Sequence, residues 1–117
     1  MSVLEQSFTD YVVDLMQVAG PVSARRMFGG HGLFLGGVMI AIVFQRTLYF
    51  KVDADTEAVF REQGLQPFCY NRRGAMVALS FFEAPEAVFD DLDAMAQWSG
   101  AAYAAARRAT TAKKPRR

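Results

Sequence analysis

MFGGHGLFLGGVMIAIVF, Met27 to Phe44, sets five glycines among bulky apolar residues and holds no Asp, Glu, Lys or Arg. With Gln45 the uncharged run reaches 19 residues, close to the ~20 that a helix needs to cross a bilayer. Three readings compete: a phosphate loop, a membrane span, and the centre of a sheet. Gly32 and Gly37 have the spacing of a phosphate loop, but Val38 and Met39 stand where its lysine and hydroxyl residue belong. Gly30 and Gly32 open a dinucleotide pattern that fails at Leu35. A lone membrane helix is weakened by Gly36-Gly37 at its middle, and the flanking segments read as strands that need partners. The third reading fits: Gly36-Gly37 reverses the chain, because both residues accept the positive φ that a two-residue hairpin loop requires.

Outward from this hairpin the pattern is consistent. Before it, Val3, Leu4, Phe8, Tyr11, Val12, Leu15 and Met16 recur at helical spacing, and Gly20-Pro21 ends that helix. Strands are predicted over 22–28, 31–35, 38–44 and 47–52, with Gln45-Arg46 a less typical turn pair. Asp53 and Asp55 are candidate N-caps for a short helix over 56–61 that Gly64 stops. Two more strands, 67–70 and 75–82, flank a four-residue loop, Asn71 to Gly74. A last helix starts near Pro85 or, after a break, near Asp90, with Leu92, Met95, Ala96, Ser99, Ala102, Tyr103 and Ala106 on one face and Gly100 weakening its middle. The order α-β-β-β-β-α-β-β-α implies an α+β domain of two layers, a mostly antiparallel sheet packed against helices.

The chain of 117 residues is 52% apolar and 21% charged, the composition of one globular domain that folds without disulfides or metal. Its net charge of +1 hides a division. Residues 1–106 hold all twelve acids and seven of the thirteen bases, a net −5, and the last eleven residues carry +6. The expected organisation is a domain over 1–106 and a basic, disordered tail over 107–117, with any attraction to nucleic acid coming from the tail. Cys69 has no partner for an internal disulfide, and MSVLEQSF lacks the features of a signal peptide, so the expected compartment is the cytoplasm.

Catalytic constellations are sparse. His31 and Cys69 are the only residues of their types, too few for a zinc site, and as a nucleophile pair they compete with ordinary packing and turn roles. Asp90, Asp91 and Asp93 read as charges at a helix start, and Trp98 and Tyr103 as core or interface residues. No catalytic, cofactor-binding or metal-ligating residue is expected, and no cofactor. Arg25-Arg26 and Arg72-Arg73 read first as solvated strand and turn positions, and second as a small basic patch. With Arg107, Arg108, Lys113, Lys114, Arg116 and Arg117 they are the candidate contacts to nucleic acid or a partner.

The run Arg25-Arg26-Met27-Phe28-Gly29-Gly30-His31-Gly32-Leu33-Phe34, then Gly37-Val38-Met39 and Leu48-Tyr49-Phe50-Lys51-Val52-Asp53, resembles the N-terminal domain of the TfoX/Sxy family of competence regulators. Pro67-Phe68-Cys69-Tyr70, Ala78 to Phe82 and Trp98 fit in the same order, so the likeness covers about residues 8–108. It is to that domain standing alone, without the C-terminal helical domain of those regulators. The resemblance implies a secretion-chaperone-like α+β fold with no enzymatic activity, in a family whose assigned members act on transcription of DNA-uptake genes with the cyclic-AMP receptor protein. It also implies that Gly29, Gly30 and Gly32 shape the backbone and that Met27 and Phe28 pack.

Two functions follow as expectations. The first is a non-enzymatic regulatory module that binds a protein, a transcription factor or polymerase component, with weak DNA contact through the tail. The second is a chaperone-like or structural homodimer that presents an apolar patch, with Trp98, Tyr103 and sheet residues as candidates, to a protein or peptide client.

Overall fold

Gly36 and Gly37 turn the chain as that reading requires, with φ of 59° and 84° between paired Leu35 and Val38. The computed structural model describes residues 3–27 and 29–112; the expectations for Phe28, Lys113, Lys114, Arg116 and Arg117 lie outside them. Along the chain come α1 (Val3–Met16), a 3-10 turn (Gln17–Ala19), β1 (Ser23–Met27), β2 (Gly30–Leu35), β3 (Val38–Phe44), β4 (Thr47–Lys51), α2 (Glu57–Glu62), β5 (Pro67–Arg72), β6 (Ala75–Glu83), α3 (Ala87–Asp90) and α4 (Leu92–Ala112). The six strands form one antiparallel sheet in the order β1-β2-β3-β4-β6-β5. The α+β class therefore holds.

Two further hairpins use the same turn geometry with less suitable residues. Gln45 and Arg46 have φ of 51° and 59° between Phe44 and Thr47, and Arg73 and Gly74 have 54° and 85° between Arg72 and Ala75. The predicted four-residue loop is thus a two-residue turn: Asn71 and Arg72 belong to β5, and Asn71 Oδ1 accepts the Gly74 N–H at 3.0 Å. A side chain in the left-handed region costs roughly 1–2 kcal/mol per residue. Replacing Gln45-Arg46 by Asn-Gly, the pair this turn favours, is expected to raise stability by about 1 kcal/mol, read as a higher urea midpoint at unchanged slope.

Helices cover one face of the sheet. Val12 and Met16 of α1, Val88 of α3 and Met95, Ala102 and Ala106 of α4 pack with Leu33, Val43, Leu48, Phe50 and Phe82 into the main core. A bulge sharpens this packing. Leu33 pairs with Ala41 and Phe34 with Met39, so Ile40 is the extra residue, and both Ile40 and Ala41 are buried in that core.

Several local expectations are corrected. Neither Asp53 nor Asp55 caps α2: Thr56 stands at that position without a side-chain cap bond, and the Asp53 carbonyl accepts the N–H groups of Thr56 and Glu57. Leu92 is exposed, because Asp91 in extended backbone separates α3 from α4 and leaves the first turn of α4 outside the core. The start of α1 also overhangs, with Val3 and Leu4 exposed and Thr9 buried instead. Helix α4 runs through the expected boundary at 106, carrying Arg107 and Arg108.

Candidate functional site: the sheet face opposite the helices

Alternation along a strand sends every second side chain to the face without helices. In β3, however, both sets are apolar, the pattern of a strand buried on both sides. Ile42, Phe68 and Phe81 form a second buried cluster, edged by half-buried Met39, Phe44, Tyr49, Tyr70 and Leu79. The register between β5 and β6 jumps from Pro67–Phe82 to Cys69–Ala78. That irregularity bends the hairpin and packs Phe68 edge-on against Tyr49 of β4, with ring centres 4.9 Å apart, and against Phe44 of β3 at 5.4 Å. Tyr70 stacks on Phe68 at 6.0 Å.

Cations lie on the same face. Arg25 pairs with Gly32, which pairs with Ile42, so its side chain shares the face of Ile42; the guanidinium lies 5.1 Å from the Phe34 ring centre. Lys51 pairs with Phe81, holds its ammonium 5.2 Å from that ring centre and donates to Ser80 Oγ at 2.5 Å. Arg72 pairs with Ala75 two positions beyond Tyr70, and is exposed. Burial and the neighbouring Glu83 carboxylate push the Tyr49 phenol up, so it stays neutral and able to hydrogen-bond. Beside Lys51, a groove of about 460 Å³ runs from Leu79 and Phe81 to Ala106, Ala109 and Thr110 on α4.

The other singled-out residues are dispersed. Arg26, next to Arg25, points to the helix side with its strand partner His31. Arg73 sits in the β5–β6 turn, at the opposite edge of the sheet from Arg25. Arg108 is committed: its Nε and Nη2 donate to Asp53 at 2.5 and 3.1 Å, and Asp55 is 3.6 Å away. These bonds hold the Asp53 carboxyl below its usual range and tie the end of α4 to the loop after β4. Arg107 Nη1 donates to the Tyr103 hydroxyl at 3.1 Å. Tyr103 itself lies against Gly36, and Trp98 packs edge-on to Phe60 at 5.0 Å, so both are half-buried structural residues.

His31 and Cys69 do not meet. Cys69 is exposed on β5, and β3, β4 and β6 separate it from β2. His31 is buried under α1, where Thr9 gives its hydroxyl hydrogen to the Glu5 carbonyl and is 3.4 Å from Nδ1. Burial first, then the Arg26 charge, lower the His31 pKa. Because His31 takes up a proton more readily in the unfolded chain, stability is full above about pH 6.5 and is lost as pH falls toward the lowered folded value. His31→Gln is expected to flatten this part of a stability profile measured by urea melts from pH 8 to pH 5. Among the described residues no three His, Cys, Asp or Glu side chains gather to hold a metal, and no helix is long and apolar enough to cross a membrane.

The motif glycines have spatial reasons. A Cβ on Gly30 would stand 2.3 Å from the Val43 carbonyl oxygen, and one on Gly32 would meet the sulfurs of Met39 and Met27 at 2.6 and 2.9 Å. Met27 packs as expected; its side chain fills the space over Gly32.

These features define an α+β domain in which β2 and β3 approach too closely for a side chain at Gly30, and methionine side chains fill the space over Gly32. A family model described as the TfoX N-terminal domain matches residues 14–106. Over 86 residues the chain is 31% identical to the DNA transformation protein TfoX1 of Aliivibrio fischeri (strain ATCC 700601 / ES114), an alignment covering 74% of this chain and 39% of that relative. The chain belongs to the TfoX N-terminal domain family, and it spans about two fifths of the length of this relative.

Proposed function

We propose that the chain is a non-enzymatic regulatory module in the control of DNA uptake, acting in the cytoplasm by binding a protein of the transcription machinery. The observation that carries this reading is its family membership, together with a relative named for DNA transformation. The dispersal of His31 and Cys69 supports a binding role over nucleophilic catalysis. Weak, sequence-independent DNA contact belongs to the C-terminal cations. With Arg108 held by Asp53, it rests on Lys113, Lys114, Arg116 and Arg117, supplemented by Arg107.

The test uses the tagged full chain in its own cells. Capture with nuclease present is expected to retain a polymerase subunit or transcription factor, and deletion of the gene to lower transcripts of DNA-uptake genes. Unchanged transcripts, or capture that disappears with nuclease, overturn the proposal.

A further inference from the structure

Charge in this protein is divided by layer as well as along the chain. Residues 23–51 and 67–83, which make the six strands and their hairpin turns, hold six basic residues and one acid, Glu83. Residues 3–22, 52–66 and 84–112, which make the helices and their loops, hold eleven acids against three bases. The sheet layer therefore carries +5 and the helical layer −8. Of these six bases, Arg25, Lys51 and Arg72 lie on the helix-free face, whereas Arg26 points to the helix side and Arg46 lines a cleft with Phe8 and Tyr11 of α1. The three cations of that face draw a polyanion to it, away from the acidic helices.

The helix-free face adds flat apolar surfaces to this field. Phe34 under Arg25, Tyr49, and Tyr70 near Arg72 are half-buried rings on three strands, β2, β4 and β5, with Lys51 on the strand that carries Tyr49. We infer that this face binds single-stranded nucleic acid, its bases stacking on Tyr49, on Tyr70 and on the Arg25 guanidinium backed by Phe34, and its phosphates meeting Arg25, Lys51 and Arg72. Aromatic rings beside cations are the two elements of sequence-tolerant single-strand recognition. A duplex hides the faces of its bases in the stack, so it gains nothing from the rings. An acidic peptide would use the cations and leave the spread of aromatic rings without a role. This inference stands apart from the DNA contact proposed for the C-terminal end, which makes no distinction between single strand and duplex.

The experiment titrates the full chain into a fluorescein-labelled oligothymidylate of about ten nucleotides, enough to cross six strands about 4.8 Å apart. A duplex of equal length is run in parallel, and anisotropy is read at two salt concentrations. The expected result is at least tenfold tighter binding of the single strand, with tyrosine emission quenched. Arg25→Glu and Arg72→Glu, both at exposed positions, are each expected to weaken single-strand binding about tenfold while circular dichroism and melting stay unchanged. Phe34→Leu, which keeps apolar bulk but loses the ring, is expected to narrow the preference over duplex. A variant with Lys113→Gln, Lys114→Gln, Arg116→Gln and Arg117→Gln is expected to keep that preference. Equal affinity for duplex, indifference to both arginine reversals, or loss of preference in the C-terminal variant alone overturns the inference. So does light scattering that finds this face closed in a dimer of two copies which Arg25→Glu dissociates.

Discussion

Gly30→Ala is expected to lower stability by about 3 kcal/mol or to prevent folding, because forced overpacking of a filled interior costs typically 1–3 kcal/mol and occasionally more. The neighbour is backbone, with the Val43 carbonyl oxygen 2.3 Å and the Phe44 Cα 3.3 Å from the added carbon. No rotamer change relieves that contact; the start of β2 must separate from β3. The same substitution at Gly100 has the opposite sign. Nothing stands within 4 Å of a Cβ there, so removing a glycine from the interior of α4 gains roughly 0.5–1 kcal/mol. Urea melts of the two variants against the parent chain check both signs.

Phe68→Ala is the second large loss. Phe68 is 1% exposed although it lies on the face without helices, held by Phe44, Tyr49 and Tyr70. A cavity left by a buried phenylalanine costs about 3–5 kcal/mol, and the expected effect equals that of Phe50→Ala in the helix-side core. Denaturation midpoints of the two variants make the comparison. A loss below about 1 kcal/mol, the size of an ordinary surface change, would show that the second cluster is not a core.

Elements with strong local signals were legible in the sequence, and sites made by distant pairing were not. The Gly36-Gly37 turn and the stop at Gly20-Pro21 follow from single-residue chemistry. Gln45-Arg46 departs from the usual turn residues, yet its flanking strands impose the same geometry on it. The tie between Asp53 and Arg108 joins residues 55 positions apart, and no local pattern announces it. The helix-free face was missed for a related reason: Phe34, Tyr49, Tyr70, Arg25 and Arg72 come from separate strands, and only the strand order brings them to one surface. One signal was available. The run Val38 to Phe44 is apolar at successive positions, which marks a strand covered on both sides. The charge division was visible along the chain as body against tail, but the division between layers needed each strand placed.

The binding surface is tested most directly by mapping amide chemical shifts of the full chain during titration with the single-stranded oligothymidylate. Shifts concentrated on β1, β4 and β5, around Arg25, Lys51 and Tyr70, with α1 and α2 unmoved, are the expected result. Shifts confined to the end of α4 and the residues after it, leaving the strands unmoved, would contradict it.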